Sequence, residues 1–545
     1  MDYTTSTNQH FISPSRFAWG IVGVVFLISL AIISMATLLQ SGFSQNAFQS
    51  LIQSAYFRHS LFVTFQQAFL SVLGATIMGI AGAIVFYRRS HFPLRRFILA
   101  GCFISMIMPT TVAALALLKL WGKSGFFAAI GFGDLIPDRL GLWSVILAHI
   151  FFNAPLIMRV CLSALERVPL PQRRHAAMMG LSALAHFQNM EWPAIRTVLP
   201  SIMGLVLLLC VTSFSLILML GGGPSVTTLE VSIYTALRFD FDLSKAAILC
   251  LIQLFICSVI LISFKPSSHT SPTASISITA PIKRPDSEKF IVQLFDTGII
   301  ISFIILNILP LSLLLIDGDY SSGLYILATE RFWNAFGNSV ALACSSALIS
   351  ILMSYVLVCL AHEAYLRQQP AIFKVIEISH SVFLLVPAIV LGTSLFILLR
   401  AHIDVFSQGF WIMMLGNALL SLPFSYRIIA PALLRHFRST DRLCASLHLQ
   451  GLTRFIHITA PAMKIEFSFA FGLAAALSFG DLGIITLFGS QNFETLPYML
   501  FQYLNRYGAV EADILALILL LMALSLYGMA QWLPTLFAYF SKGRA

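Results

Sequence analysis

Asp481 lies in the apolar run Ser478–Ile484 (SFGDLGI), where a carboxylate is expensive. A charge inside a membrane-spanning helix costs about 2.5–3.5 kcal/mol on insertion scales and usually faces protein or a water-filled cavity. There it either attracts a cation in transit or bonds to a neighbouring helix and fixes packing. Arg159 and Arg427 lie near the ends of two other apolar runs, where a cytoplasmic gate and snorkelling to headgroups are both open readings. Asn153 and Asn417 lie a turn or more deeper and suit bonds between helices, which average under about 1 kcal/mol. These five are the candidate translocation-pathway residues.

Catalytic chemistry is not expected of this chain. HExxH, GxSxG and a carboxylate pair in a polar cleft are all missing. The GKS at Gly122–Ser124 fails as a phosphate loop, because that motif needs a Gly five residues earlier and Leu117 stands there. The eight cysteines form no CxxC pair and lie mostly in apolar runs, so they read as buried free thiols, with no metal or disulfide framework.

The elements that must hold such residues follow from composition. Of 545 residues, 58% are hydrophobic and 10% charged, with a mean hydropathy of +0.87. Soluble domains carry about a quarter charged residues. Spanning a bilayer core takes about 20 apolar residues, and stretches of that length recur about twelve times. Porin-like strands are excluded, since they alternate and run to about ten residues. The expectation is an all-α polytopic membrane protein. The net charge of +10 reflects topology: Lys and Arg gather on one side, most densely in YRRSHFPLRR (Tyr87–Arg96). With the positive side inside, both termini are cytoplasmic and no nucleic-acid partner is needed.

The chain repeats itself. Gly141–Arg159 aligns without a gap on Gly409–Arg427, a spacing of 268 positions, and the same spacing sets Phe187 on Phe455 and Pro193 on Pro461. Earlier, His59–Thr64 matches Asn338–Ala343 and Pro109 matches Pro387. Residues 265–289 are rich in Ser, Thr and Pro and read as a cytoplasmic linker. The halves are therefore 1–264 and 290–545, six spans each, related as parallel repeats about an axis along the membrane normal.

Each half carries one polar, basic interruption, at 171–196 and 439–464. Small and apolar residues, among them Ala176, Ala177, Met178 and Met179, suit a short amphipathic helix bounded by Gly180 and the following Pro193. Such a helix docks into a groove on another protein or lies flat on anionic lipid.

The two interruptions resemble the EAA loop of binding-protein-dependent ABC importer permeases: E-A-A-x-x-x-G, then Phe seven and Pro thirteen residues after the Gly. Gly180, Phe187 and Pro193 match in the first copy, and Phe455 and Pro461 in the second, where His448 takes the Gly place. Arg174 and Arg442 stand where the family has its acid, and Ala176 and Ala445 fall within the helix. The resemblance implies a type I permease fold and docking of two copies of an ABC ATPase, which bind ATP and Mg while this chain holds no cofactor. Leu147–Pro169, Leu220–Gln253 and Ser478–Tyr507 are more specific and resemble the permeases of thiamine importers. That likeness implies a bacterial inner-membrane location, a periplasmic substrate-binding protein at the outer face, and thiamine or thiamine pyrophosphate as cargo. Asp481 would then ease passage of the thiazolium cation. The segments Gly221–Glu230 and Gly489–Pro497 are turn-rich at equivalent outer loops and suit a binding-protein contact, an outer gate or a tight connection. An iron(III) importer would share this architecture. An ion-coupled secondary transporter would be favoured by paired intramembrane acids or by interrupted helices at corresponding positions.

Overall fold

The computed structural model describes residues 14–42, 45–123, 125–132, 141–264, 285–316, 318, 323–490, 493–505 and 509–542. Most of the linker, at 265–284, lies outside the described residues, as does Ser124 of the GKS triplet. Among the described residues all regular structure is helical, apart from one isolated bridge between Ser490 and Phe493. The all-α expectation holds.

The first half runs α1 (Pro14–Gly42), α2 (Gln45–Gln53), α3 (Ala55–Arg88), α4 (Arg95–Ile107), α5 (Thr110–Trp121), α6 (Leu142–Glu166), α7 (Leu170–Met178), α8 (Ala183–His186), α9 (Trp192–Ile195), α10 (Leu199–Val211), α11 (Ser215–Leu220), α12 (Leu229–Arg238) and α13 (Leu243–Ser263). The second runs α14 (Phe290–Phe303), α15 (Leu309–Ile316), α16 (Glu330–Leu366), α17 (Pro370–Leu385), α18 (Ala388–Leu399), α19 (Gly409–Ser446), α20 (Gly451–Arg454), α21 (Ala460–Ala462), α22 (Lys464–Phe479), α23 (Ile485–Phe488), α24 (Leu496–Asn505) and α25 (Ala509–Lys542). Seven described helices are long and apolar enough to cross a membrane unbroken, and three bent pairs also qualify. The α4–α5 pair and α25, with 34 residues, match the remaining apolar stretches.

The repeat is visible element by element. α5 and α18 begin and end 278 positions apart, and α7 and α19 end 268 apart, at Met178 and Ser446. The change of spacing falls in the connection after α5, which is about ten residues longer than the one after α18. π-helical turns recur at Phe187–Glu191 and Phe455–Thr459, again 268 apart. His59 and Asn338 act alike: His59 Nε2 lies 3.1 Å from Ser225 O, and Asn338 Nδ2 donates to Glu494 O at 3.0 Å. Five residues on from His59, the linear pairing fails. The hydroxyl that accepts the first amide of the next short helix is Thr64 in one half (from Leu229 N–H, 3.0 Å) and Ser339 in the other (from Leu496 N–H, 2.8 Å). Helical neighbours one turn apart share a face, so the role moves by a turn without moving the bond.

Several spans are interrupted, for identifiable reasons. Pro109 and Pro387 separate α4 from α5 and α17 from α18, because the residue before a proline is pushed out of helical geometry. Met108 and Val386 are accordingly extended, with ψ of 135° and 110°. The α17–α18 pair is bent by 99°. The break between α10 and α11 frees backbone carbonyls at the buried Cys210 and Val211, so side chains must satisfy them. Gln67 Nε2 donates to Cys210 O at 2.8 Å, and Gln253 Nε2 to Val211 O at 3.1 Å.

The halves interlock through their first helices. α1 crosses α16, where a Cβ at Gly20 would stand 2.3 Å from Leu360 Cβ. α14 crosses α3, where a Cβ at Gly82 would stand 2.4 Å from the Phe303 ring. Leu360 is the counterpart of Gly82 at the 278 spacing, so the small and large partners are exchanged between the two crossings. Each permits the close approach that helix association in lipid depends on. At the end of each crossing an arginine holds the visiting helix. Arg89 Nε lies 2.8 Å from Asp296 Oδ2, with Arg88 Nη1 2.9 Å from Oδ1. Its counterpart Arg367 places its guanidinium 3.9 Å from the centre of the Phe17 ring.

Candidate coupling loops and translocation pathway

In each loop a short helix must stop, turn and return to the bundle. Gly180 ends α7 in the left-handed region at φ +61°, where it costs glycine little. His448 occupies the same conformation at φ +53°, strained for a residue with a Cβ. There His448 N–H donates to Ala445 O at 3.2 Å and Leu449 N–H to Cys444 O at 2.8 Å, the paired bonds of a Schellman cap. The cap geometry is kept although the glycine is lost. Phe187 and Phe455 turn back toward the membrane helices: Phe187 packs on the buried core, and Phe455 meets Tyr355 with ring centres 5.0 Å apart. Pro193 and Pro461 lie just after the π-helical turns, inside the continuous helical stretches Ala183–Ile195 and Gly451–Ala462, where a proline takes one N–H out of the helical ladder.

Arg174 and Arg442 are exposed and Ala176 is buried; Ala445 is exposed and Ala177 lies on the α7 backbone. The apolar residues facing outward are Met178, Met179, Leu184 and Trp192 in one loop and Leu443, Leu447, Leu452 and Ile456 in the other. Sequence reasoning named the two methionines but not the leucines, which carry no helical period until α7–α8 and α19–α20 are placed side by side.

The loops differ mechanically. α6 stops at Glu166 and α7 begins at Leu170, because Pro169 and Pro171 fall at the junction. Phe437 and Ser439 stand at the corresponding places, so α19 runs unbroken from the membrane to Ser446. The second loop is also clamped. Asp441 Oδ1 accepts from Arg454 Nη2 at 2.7 Å and Oδ2 from His362 Nε2 at 2.6 Å, with side-chain exposures of 11%, 7% and 2%. The acid missing at Arg442 is thus supplied one residue earlier. In the first loop the counterpart of Asp441 is Arg173, whose guanidinium lies 5.1 Å from the centre of the Tyr87 ring.

The candidate pathway residues are dispersed. Asn153 Nδ2 donates to His149 O at 2.9 Å and reaches Cys210 Sγ at 3.7 Å. Asn417 Nδ2 donates to Ser478 Oγ at 3.0 Å. Cys210 and Ser478 are counterparts at the 268 spacing, so both asparagines fasten helices within their own half. Arg159 lies over the Phe103 ring at 4.9 Å, and Arg427 is exposed on α19. Asp481 falls in the break between α22 and α23, its oxygens accepting the N–H groups of Gly483 (3.0 Å) and Ile484 (3.3 Å). The preceding Gly480 abuts Pro109 of the other half, a Cβ there standing 3.3 Å from Pro109 Cα. Asp481 therefore lies where broken helices of both halves meet. Its counterpart is Ser213, so no acidic pair forms. The interrupted helices expected of an ion-coupled transporter are nonetheless present in both halves, and that mark does not separate the two classes.

At the end of the bundle away from the loops, the halves are joined. Lys119 Nζ on α5 lies 3.0 Å from Asp513 Oδ2 on α25. Arg238 Nη2 on α12 donates to Gly489 O at 3.3 Å. Neither contact was foreseen, though a lone Lys and a lone Asp in apolar runs were the available signal.

A two-repeat helical bundle with broken central helices and a capped apolar loop beneath each half is a translocation subunit. The family profile described as "Binding-protein-dependent transport system inner membrane component" matches residues 75–265. The chain is 32% identical over 533 residues to the thiamine transport system permease protein ThiP of Escherichia coli K12, covering 97% of this chain and 98% of that one. It is 36% identical over 468 residues to the protein of that name from Brucella suis, 85% of each chain, and 31% identical over 520 residues to that of Haemophilus influenzae, 94% and 95%. The chain belongs to the family of binding-protein-dependent transport system inner membrane components, multi-pass proteins that form the membrane path.

Proposed function

We propose that this permease carries thiamine and thiamine pyrophosphate into the bacterial cytoplasm, both its termini lying on the cytoplasmic side. Two ABC ATPase subunits dock beneath the loops at 171–196 and 439–464. A periplasmic binding protein delivers cargo at the opposite face. ATP binding and hydrolysis by the partners close and release the halves, giving alternating access around the junction of broken helices. The observation that carries the reading is the near-full-length likeness to permeases named for thiamine transport. Two outward-facing apolar helices at equivalent positions support the stoichiometry, since each offers one docking knob.

The test is uptake of radiolabelled thiamine by cells with and without this chain, its partners present. Loss of uptake on deletion, with competition by excess thiamine pyrophosphate and not by ferric iron, is the expected result. Equal uptake in both strains refutes the cargo and leaves the family standing.

A further inference from the structure

At the end of the bundle opposite the two loops, a groove of about 490 Å³ opens between the last turns of α18 and the first turns of α19. Leu395, Leu399, Ile412 and Leu415 line it, with Trp411 on one wall and Asp404 at the mouth. The repeat supplies an internal control. At the same spacings the first half has Leu117, Trp121, Ser144 and Leu147, and the space there is about 10 Å³. The physical cause is visible. Trp121 stands where Leu399 does, and its indole stacks on Phe127 of the longer α5–α6 connection, ring centres 4.3 Å apart. One half fills this place with its own rings; the other leaves it open, and apolar walls without partner atoms forfeit their dispersion contacts.

Depth in the membrane follows from two more counterparts. Trp143 and Trp411, 268 positions apart, are 64% and 60% exposed at the starts of α6 and α19. Tryptophans left out at one level mark the bilayer–water interface, so the groove opens where lipid chains meet headgroups. The short α18–α19 connection carries exposed charges of both signs: Asp404, which lines the groove and accepts Phe406 N–H at 3.1 Å through Oδ1, and Arg400, next in the chain to the lining Leu399.

We propose that this groove holds an acyl chain of an ethanolamine phospholipid, its ammonium group on Asp404 and its phosphate toward Arg400. A zwitterionic headgroup matches the paired signs, and an aliphatic chain matches the aliphatic walls. The lipid braces α18 against α19 in the second half, as Trp121 and Phe127 brace α5 against α6 in the first. The inference is independent of the cargo, so a failed uptake test leaves it unaffected.

Native mass spectrometry of the purified permease tests it. Leu399→Trp, which copies the first half, is expected to retain one phosphatidylethanolamine fewer than the wild type. Asp404→Asn is expected to lower the preference for phosphatidylethanolamine over phosphatidylglycerol by up to about five-fold, the range of an exposed ion pair. Equal lipid counts in wild type and Leu399→Trp overturn the proposal. Should Leu399→Trp not fold, quenching by phosphatidylethanolamine brominated in its acyl chains decides. Trp411, read as the difference between wild type and Trp411→Phe, must be quenched more than Trp143 read through Trp143→Phe. Equal quenching, or shielding of Trp411 by the binding protein in place of lipid, overturns it.

Discussion

Asp441→Ala is expected to loosen the second loop and leave the first untouched. The carboxylate has two partners, Arg454 at 2.7 Å and His362 at 2.6 Å, and all three side chains are largely buried. Removing one member of a buried pair leaves an uncompensated charge and costs about 3–5 kcal/mol. Because Asp441 retains some water contact, the lower end applies: about 3 kcal/mol, or roughly a hundred-fold in a local equilibrium. Hydrogen exchange read by mass spectrometry over 449–459 should therefore quicken about a hundred-fold in the variant. Residues 181–191 should exchange as before. Arg173→Ala, the corresponding change in the first loop, removes a cation–π contact with Tyr87 and a longer-range attraction to Glu166, about 1 kcal/mol together, with no buried hydrogen-bonded ion pair lost. The double variant Asp441→Ala/Arg454→Leu takes away the stranded guanidinium and should recover most of the protection. If the double variant exchanges as fast as the single one, the clamp does not act through a buried charge and the reasoning fails. In the assembled transporter, ATP turnover should respond less to cargo in Asp441→Ala than in Arg173→Ala, since a rigid α19 transmits motion only while its loop is held.

Three further outcomes are expected. Gly180→Ala should destabilise the first loop by about 1 kcal/mol, because its φ is left-handed, whereas His448→Gly should relieve a similar strain in the second; protease protection of the two loops reads both. Asp481→Asn keeps an oxygen for the Gly483 amide, so its melting should stay within about 1 kcal/mol of wild type while uptake of a cationic cargo slows; unchanged uptake would limit Asp481 to capping. Lys119→Met removes the bridge to Asp513 and should weaken the junction of the halves at the loop-distal end, raising ATP turnover in the absence of cargo; unchanged turnover would show that the pair does not hold that end shut.

What the sequence determined by itself is what depends on local period and composition. Apolar runs of membrane length define the spans, because no other surface is stable in lipid. The repeat was legible because Pro109 and Pro387, Trp143 and Trp411, and the Phe and Pro of each loop recur in order, and each acts on its immediate neighbours in the chain. Tertiary structure decided what depends on partners far away. The asparagines at 153 and 417 suited bonds between helices, but only tertiary structure shows their partners, Cys210 and Ser478, coming into reach from another helix. Arg442 looked like a lost acid until Asp441 was seen between Arg454 and His362. The exchange of small and large residues at the Gly20–Leu360 and Gly82–Phe303 crossings leaves no trace in either local sequence. Asp481, alone in an apolar run, announced itself by its cost; only the meeting of two broken helices at Gly480 and Pro109 placed it between the halves.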